Sequence, residues 1–437
     1  MNRLFCALAL AILASGPATA AVDIQEVTSP GGIKAWLVEE RSIPFTALEI
    51  RFKGGGSLDR PGKRGAINLM TAVLEEGAGD LDAQGFAAAR DALAASYRFD
   101  VHRDALTVSA RFLTENRDEA IALLQSALTA PRFDQVALDR VRDQVLTVIR
   151  SDDTDPDAVA SRRFNALAFG DHPYATPIDG TIDSVSALTR DDIVTAYKDV
   201  IARDRVYVGA AGDITAEELG RLLDSLLGGL PEAGAPLPDD AEVLLAGGVT
   251  VVPFDTPQSV AVFGHVGIPR DDPEFFPAFV ANHVFGASGL QSRLSDEVRE
   301  KRGLTYGIGA YLAGFDLAQL VIGQVASANE RMAEAIEVTR AEWAKMAADG
   351  LTEDELEEAK AYLTGAYPLR FDSNGSIARI LVGMQIDDFG LDYVKTRNGM
   401  VNAVTTDDVR SVAKRLYRPE DLQFVVVGQP EGIDGTN

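Results

Sequence analysis

The chain has 437 residues, which is enough for two or more domains with sizeable cores. Its 66 acidic residues outnumber its 41 lysines and arginines, giving a formal net charge of −25. Such an acidic surface argues against nucleic acid or an anionic membrane as the main partner and mildly favours basic or extended peptide ligands. Four histidines in the whole chain leave little material for a metal site.

The first twenty residues have the pattern of a secretory signal peptide. Arg3 precedes an apolar run over 4–13, and the A-x-A pattern at 18–20 predicts cleavage before Ala21. Without Arg3 the mature chain has a formal net charge of −26. The single cysteine, Cys6, lies inside the signal, so the mature chain has no thiol for a disulfide, metal or catalysis. No segment is long and apolar enough to span a bilayer, and we expect export to the periplasm.

The mature sequence alternates strand pairs with groups of helices. The first half contains predicted strands at Lys34–Glu39, Ala47–Phe52, Tyr97–Val101, Ala105–Phe112 and Val206–Ala210, and helices at Asp82–Ala95, Asn116–Thr129 and Asp134–Ser151. The second half contains predicted strands at Thr250–Pro253, Val260–Val266 and Gln423–Val427, and a charged helix at Thr352–Tyr367. This pattern predicts an α+β fold, with helices on one face of a mainly antiparallel sheet in each half.

The two halves also share a repeat. The segment 188–193 aligns without gaps on 404–409, and in each a threonine N-cap precedes acidic residues in the first helical turn. In that register three pairs lie 216 positions apart: Thr189 with Thr405, Gly212 with Gly428, and Gly32 with Gly248. The shared offset at both ends predicts two homologous domains enclosing a cavity.

The boundaries of these domains follow from composition. We assign 21–232 to the N-terminal domain and 247–437 to the C-terminal domain, with a linker at 233–246. Proline, glycine and acidic residues cluster around this linker. A hinge between the two domains is expected near Pro231 to Pro238.

Residues 64–77 predict a helix that starts after a glycine, carries a stripe of apolar residues and finishes with Glu-Glu-Gly. In this outline they resemble the zinc-site helix of the inverted zinc peptidases, which carries H-x-x-E-H. The matching positions here are Asn68, Thr71 and Ala72. An amide is a poor zinc ligand, a threonine hydroxyl is a poor general base at neutral pH, and alanine offers no ligand. The resemblance therefore implies a zinc site that has lost its function.

Residues 286–307 form the second informative stretch. They predict a small-residue loop, a short helix with Leu290, Leu294 and Val298 on its apolar side, a glycine stop at Gly303, and a strand. This stretch resembles the insulinase-like (pitrilysin-type) peptidase family. The second domain of that family has a small-residue loop, then Ser-Arg-Leu, then Leu-Arg-x-x-x-Gly-Leu-x-Tyr or close variants.

The arginine and tyrosine of that family pattern, seven positions apart, match Arg299 and Tyr306. The resemblance implies that Arg299 holds a peptide carbonyl or carboxylate and that Tyr306 donates to the scissile carbonyl oxygen. It also implies that Ser288 and Gly289, in the small-residue loop, contact the substrate. Arg302 is an alternative arginine, although at a glycine stop a cation often only complements the helix dipole. The structural alternative places Arg299 in solvent on a helix and Tyr306 half-buried on a strand.

The resemblance covers nearly the whole mature chain. It extends to the turn at 170–174, where His172 is expected to be structural. The family's third zinc ligand, a glutamate on the long helix of the first domain, falls on Val148, which cannot bind a metal. With Asn68, Thr71 and Ala72, all four zinc-site positions are therefore replaced.

The loss of the zinc site beside a retained arginine and tyrosine implies a non-zinc subunit of a heteromeric metallopeptidase. Such a subunit has no cofactor of its own and no activity alone. Its zinc belongs to an H-x-x-E-H-bearing paralogous partner in a heterodimer that cleaves peptides. The alternative is a degenerate family member with a purely structural, assembly or peptide-binding role, like the core subunits of respiratory complexes.

Overall fold

The computed structural model describes residues 23–433. The predicted signal at 1–20, with Cys6 and the cleavage before Ala21, lies outside the described residues. Within 23–433 no helix combines the length and the apolar character needed to cross a membrane.

A six-stranded sheet organises the N-terminal half. Its strands are β1 (Gln25–Thr28), β2 (Lys34–Glu39), β3 (Phe45–Lys53), β6 (Ser96–Val101), β7 (Ala105–Leu113) and β8 (Val206–Gly212), while β4 (Gly77–Ala78) and β5 (Leu81–Asp82) form a separate short ribbon. The order across the sheet is β1-β2-β8-β3-β7-β6. All neighbours pair antiparallel except β2 with β8.

A five-stranded sheet organises the C-terminal half in the same way. Its strands are β9 (Gly248–Pro253), β10 (Gln258–Val266), β11 (Ile308–Gly314), β12 (Gln319–Ala328) and β13 (Gln423–Gly428). The order is β11-β12-β10-β13-β9, and again one pair, β13 with β9, is parallel. Each predicted strand is present, with both ends within two residues of the predicted ends. The predicted α+β class, with two related and mainly antiparallel sheets, is confirmed.

Fourteen α-helices lie in the described part of the chain. In the N-terminal half they are α1 (Ala66–Ala72), α2 (Ala83–Ala92), α3 (Arg117–Thr129), α4 (Gln135–Asp152), α5 (Pro156–Phe169), α6 (Ile182–Ser186), α7 (Arg190–Val200) and α8 (Ala216–Leu227). In the C-terminal half they are α9 (Phe275–Asn282), α10 (Met332–Asp349), α11 (Glu353–Gly365), α12 (Asn374–Ile386), α13 (Tyr393–Ala403) and α14 (Thr406–Leu416).

The repeated Thr-x-x-Asp segments start two of these helices, α7 and α14. The Thr189 hydroxyl accepts from the backbone N–H of Asp192 at 3.3 Å, and the Asp192 carboxylate accepts from the backbone N–H of Thr189 at 2.8 Å. Thr405 and Asp408 make the same reciprocal pair at 3.2 and 2.9 Å. Both predicted N-caps are confirmed as capping boxes.

The halves exchange one helix each. One face of each sheet packs on helices of its own half, and the other face packs on a helix from the opposite half. α5 lies across β10 and β13, where Phe164 is fully buried. α12 lies across β8, β3 and β2, where Leu381 is fully buried. A Cβ at Gly209 on β8 would lie 2.3 Å from the backbone oxygen of Ala378, so glycine permits this close approach.

The strand register corrects one part of the predicted repeat. Gly212 ends β8 opposite Glu39, and Gly428 ends β13 opposite Pro253. Glu39 and Pro253 are 214 positions apart, while the two glycines are 216 apart. The match of Gly32 with Gly248 is therefore two residues out of register, because the chain between the first paired strand and the last one is two residues longer in the C-terminal half.

The linker at 233–246 is held against both halves. Its backbone amides donate to three carbonyl oxygens along its length: Ala235 to Asp199 at 2.9 Å, Ala241 to Leu317 at 2.8 Å, and Leu244 to Ala168 at 2.9 Å. The Nε2 atom of His172 lies 3.1 Å from the carbonyl oxygen of Asp239, so His172 has the expected structural role. These bonds join the linker to both halves in this structure, and the hinge expected near Pro231 to Pro238 stays a prediction.

A cleft of about 600 Å³ lies where the two halves meet. The tip of the β11–β12 hairpin reaches into the N-terminal half, where the backbone N–H of Asp316 donates to Asp104 at 3.1 Å and that of Leu317 donates to the Tyr174 hydroxyl at 3.1 Å. The guanidinium of Arg103 lies 4.5 Å from the ring centre of Phe315. These contacts and the exchanged helices join the two repeats into one packed body.

Candidate functional site

The helix that matches a zinc-site helix, α1, starts at a position that only glycine fits well. Gly65 has a φ of 87°, and a Cβ there would lie 2.5 Å from the backbone oxygen of Asp179. The carboxylate of Asp59 accepts from the backbone N–H groups of Gly65 at 2.7 Å and Ile67 at 2.9 Å, and so satisfies the start of the helix.

The side chains at the four zinc-site positions have other surroundings. The Asn68 amide donates to Asp179 at 2.9 Å. The Thr71 hydroxyl is buried and donates to the backbone oxygen of Ile67 at 2.8 Å. Ala72 is exposed, and Val148, on the neighbouring helix α4, is 51% exposed. Two of the four positions therefore present only hydrocarbon to solvent, and the two polar groups are engaged in hydrogen bonds.

The acidic residues nearby do not replace the missing ligands. Burial and the neighbouring charge of Asp152 raise the pKa of Asp179. Glu75, after α1, forms an ion pair with Arg90 at 3.0 Å, and the adjacent glutamate pairs with an arginine of α4. Across 23–433, no group of three or more histidine, cysteine, aspartate or glutamate side chains is placed to hold a metal.

In the C-terminal half, the small-residue loop lies between two helical turns that are wider than an α-helix. These π-helical turns cover His283–Ala287 and Ser295–Glu300. Such turns occur frequently at functional sites. Between them Ser288 is half-buried, and Gly289 is exposed with a φ of 64° and no neighbouring atom within 4 Å of where a Cβ would lie. Both predicted loop residues are thus accessible to a ligand.

One residue of the predicted apolar helix face is placed differently. Leu294 and Val298 are fully buried, as expected, but Leu290 is 63% exposed. It belongs to a short turn, Gly289–Gln291, that precedes the helix, so its side chain does not continue the buried side of the helix. The prediction for Leu290 was wrong because an interrupted helix does not preserve the spacing of a continuous one.

The Ser-Arg-Leu motif anchors this loop. The hydroxyl of Ser292, which is fully buried, donates to the backbone oxygen of Gly289 at 2.9 Å and accepts from the backbone N–H of Ser295 at 3.2 Å. The Arg293 guanidinium donates to Glu355 on α11 at 2.6 Å and to the backbone oxygen of Gly350 at 2.9 Å. The motif therefore fixes the position of the loop rather than contacting a ligand itself.

The two candidate arginines differ in how they are held. The Arg302 guanidinium donates to the side chain of Glu297 at 2.6 Å and to its backbone oxygen at 2.7 Å. Hydrogen bonds from Lys301 and Arg302 lower the pKa of Glu297 to about 2. Within residues 23–433, the Arg299 guanidinium pairs only with the adjacent Glu300, whose side chain is 55% exposed. Arg302 thus completes the end of the helical turn, and Arg299 is the easier of the two to redirect to a ligand.

Tyr306 is 89% exposed and precedes β11 rather than belonging to it. The alternative of a half-buried strand residue is therefore wrong. The base of its loop is fixed, because buried Leu304 accepts from the Ser327 hydroxyl at 2.5 Å through its backbone oxygen. The N–H of Leu304 donates to the backbone oxygen of Val298 at 3.0 Å, and that of Gly303 donates to Arg299 at 2.8 Å. Among the described residues the Tyr306 hydroxyl has no hydrogen-bond partner.

The structure thus connects the Tyr306 loop to the helical turn of Arg299 by backbone hydrogen bonds, and in the described region the two side chains share no hydrogen bond or cation–π contact. It also shows an aromatic pair, an exposed tyrosine on a half-buried histidine, that the sequence did not reveal. Tyr362 on α11 is 61% exposed and stacks on His283, with ring centres 5.0 Å apart. Tyr362 lies in a charged helix far along the chain from His283, so no local pattern relates them.

Three features resemble those of the inverted zinc peptidases: a repeated sheet-and-helix unit, a helix matching their zinc-site helix but without the ligands, and an arginine–tyrosine segment on an anchored loop. Comparisons with known proteins agree. Residues 187–363 match the family described as Peptidase M16 inactive domain. The match covers 187–363 of the 437 residues, so this part of the chain is similar to the insulinase-like peptidase family, and residues 23–433 hold no zinc-ligand set of the family's kind.

Individual relatives span nearly the whole chain. A protein of Helicobacter pylori named Non-peptidase homolog YmxG is 26% identical over 390 residues, covering 89% of this chain and 90% of that protein. A protein of Streptomyces coelicolor named as an uncharacterized zinc protease is 27% identical over 401 residues, covering 90% and 86%. The probable mitochondrial-processing peptidase subunit beta of Schizosaccharomyces pombe is 26% identical over 335 residues, covering 72% and 71%.

Solved structures share the fold. A crystal structure of a peptidase M16 inactive domain from Pseudomonas fluorescens superposes with a TM-score of 0.88 at 24% identity, covering 95% of this chain and 100% of that one. A chain of complex III2 from Candida albicans gives a TM-score of 0.76 at 17% identity, covering 95% and 98%.

Proposed function

We propose that this chain is the non-zinc subunit of a heteromeric insulinase-like metallopeptidase. In this proposal it binds extended peptides and completes, in trans, the active site of an H-x-x-E-H-bearing paralogous subunit that holds the zinc. The observation that carries the proposal is Tyr306. This residue is 89% exposed, its hydroxyl has no hydrogen-bond partner among residues 23–433, and the base of its loop is fixed by backbone bonds. A large exposed aromatic residue on an anchored loop serves recognition more readily than stability.

The surrounding residues suit the same task. Tyr306 would donate to the scissile carbonyl oxygen as it gains negative charge in the transition state. Arg299, freed from Glu300, would hold a carbonyl or carboxylate of the peptide with parallel hydrogen bonds. Ser288 and Gly289 would contact the peptide from the small-residue loop. The substrate itself would add as a strand to a sheet edge of the partner, where backbone bonds tolerate many side chains.

The test is a mixing experiment with the H-x-x-E-H-bearing homologue from the same organism. Tyr306→Phe removes one oxyanion donor, which typically costs about 10²-fold or more in kcat. Assembly, followed by size-exclusion chromatography, and zinc content, followed by elemental analysis, should be unchanged. Tyr311→Phe is the matched control, since Tyr311 is also exposed but lies on β11 outside the site. Full activity of the Tyr306→Phe complex would show that this hydroxyl takes no part in the reaction.

A structural or assembly role is the second candidate. The fold similarity to a chain of complex III2 supports it, as does a relative named as a non-peptidase homolog. The relative named as a processing-peptidase subunit supports the first candidate instead. The mixing experiment separates them, because a scaffold would leave cleavage independent of both Tyr306 and Arg299. For either role we propose a periplasmic location, on the signal-like pattern at the start of the chain.

A further inference from the structure

A second pocket lies in the C-terminal half, between α9, α12 and α13. It is a cavity of about 350 Å³, and none of the candidate-site residues lines it. Three arginines and several aromatic rings form its walls, among them Arg270, Arg370, Arg397, Phe275, Phe279 and Tyr367. This lining contrasts with the chain as a whole, which has a formal net charge of −25.

Arg397 is the most informative member of this lining. It is only 6% exposed, and its guanidinium lies between two rings, 4.5 Å from the centre of Tyr367 and 5.5 Å from that of Phe279. Its Nη1 atom donates to the backbone oxygen of Leu363 at 2.8 Å and to Asn398 at 3.0 Å. Burial lowers the pKa of Arg397, and no carboxylate of residues 23–433 lies within ion-pair distance of it. A buried guanidinium without a carboxylate is costly to maintain.

The other two arginines of the lining, Arg270 and Arg370, add positive charge that the single carboxylate of the lining does not balance. The Arg270 guanidinium stacks 4.0 Å from the ring centre of Phe275, donates to the Tyr393 hydroxyl at 2.7 Å and lies 3.9 Å from Asp387. Arg370 is exposed and forms no ion pair in the described part of the chain. Three guanidinium groups therefore face one carboxylate, that of Asp387, among the residues lining the cavity.

We propose that this cavity binds a carboxylate carried on an aromatic or alkyl group. The guanidinium groups supply the paired donors that a carboxylate accepts, and the rings of Phe275, Phe279 and Tyr367 cover its apolar part. Two sources present this chemistry: a small free carboxylic acid, and the C-terminal residue of a peptide. The proposal is independent of the peptidase assignment, because it involves neither Tyr306 nor Arg299.

Calorimetric titration of the mature chain with hydrocinnamate tests the proposal directly. The matched neutral compound, hydrocinnamamide, keeps the ring and loses the charge. Hydrocinnamate should bind roughly tenfold or more tightly than the amide, as expected for a charge-assisted hydrogen bond. The tripeptide Ala-Ala-Phe, with a free or an amidated C-terminus, then distinguishes the two sources: stronger binding of the free-terminus peptide than of hydrocinnamate assigns the site to peptide termini, and the reverse assigns it to small acids.

Arg370→Gln tests the cavity itself, since an exposed residue can be replaced without disturbing the fold. It should weaken hydrocinnamate binding by roughly tenfold. Arg379→Gln on α12 is the control, because Arg379 is exposed and does not line the cavity, and it should bind like the unmodified chain. Absence of binding by both hydrocinnamate and the free-terminus tripeptide, equal binding of acid and amide, or equal losses in the two variants would each overturn the proposal.

Discussion

At the scale of single residues, Arg299 and Arg302 lie three positions apart but have different partners. The Arg302 guanidinium donates to both the carboxylate and the backbone oxygen of Glu297, so its charge stabilises the end of the helical turn. In the part of the chain that the structure describes, the Arg299 guanidinium pairs only with the exposed side chain of Glu300. On the proposed function, the first arginine contacts substrate and the second supports local structure.

This difference predicts two separable effects in the reconstituted complex. Arg299→Ala should mainly raise KM, since it removes binding common to the ground and transition states. Arg302→Ala should lower the thermal unfolding midpoint of this chain while leaving KM nearly unchanged. Steady-state kinetics and thermal unfolding of each variant make the comparison. A rise in KM for Arg302→Ala alone would assign the working arginine to position 302 instead.

The sequence predicted the loss of the zinc ligands correctly, but it did not predict how exposed the Tyr306 side chain is. Whether a side chain can ligate zinc depends on its own chemistry, so Asn68, Ala72 and Val148 were informative in isolation. Exposure depends on where the strand begins, and β11 starts two residues after Tyr306. Boundaries of that kind are set by tertiary contacts, here the burial of Leu304, which no local pattern reveals.

At the scale of elements, the stability of the contact between the Ser-Arg-Leu motif and the start of α11 should depend on pH, because Glu355 takes part in it. Glu355 is the capping-box partner of Thr352 and also accepts from Arg293. Burial alone would raise its pKa, but the hydrogen bonds from Arg293 and Thr352 outweigh burial and lower the pKa to about 2. Its ordinary value in an unfolded chain is about 4.3.

Because the folded-state pKa of Glu355 lies below the unfolded value, its contribution to stability is fully present above about pH 4.3 and is lost as the pH falls toward 2. Glu355→Gln should therefore destabilise the chain at neutral pH by about 1.5–3 kcal/mol, the range for a hydrogen bond to a charged group. That deficit should shrink as the medium is acidified. Denaturant unfolding at several pH values measures it, with Glu357→Gln, at an exposed position of the same helix, as control. A deficit that stays constant with pH would contradict the assignment.

Local patterns gave most of the strands but only seven of the fourteen described helices, because hydrophobic periodicity and capping residues are local properties. They did not give the two π-helical turns around Ser288, which depend on how the loop packs. These patterns also did not predict that α5 packs on the sheet of the C-terminal half and α12 on the sheet of the N-terminal half. Periodicity shows that a helix has a face to bury, and it does not show which sheet will bury it.

At the scale of the whole molecule, the described residues contain no cluster suited to a metal, and α1, which matches the zinc-site helix of the peptidases, lacks the ligands. We therefore expect the purified, tag-free mature chain to hold no stoichiometric zinc. Elemental analysis after dialysis, first against a zinc-containing buffer and then against a zinc-free one, checks this. The H-x-x-E-H-bearing homologue, prepared in parallel, should retain about one zinc per chain. One tightly held zinc in the present chain would show that ligands from elsewhere replace those lost at α1.

The exchanged helices make each half depend on the other. Without the C-terminal half, the sheet face bearing Trp36, Val38 and Ala211 loses the cover of α12, and α5 loses the sheet on which Phe164 is buried. Each large apolar side chain returned to water costs about 1.5–3 kcal/mol, so a few of them exceed the usual stability of a domain. The repeat in the sequence suggests two independent domains, whereas the packing indicates one cooperative unit.

We accordingly predict that fragments 21–232 and 233–437, produced separately, will not unfold cooperatively and will bind a hydrophobic dye. Mixed or co-expressed, they should associate and recover a single unfolding transition close to that of the intact chain, because only one peptide bond has been cut. Differential scanning calorimetry of each fragment and of the mixture gives the comparison. A sharp transition of fragment 21–232 alone, at the midpoint of the intact chain, would show that α12 contributes little and that the halves fold independently.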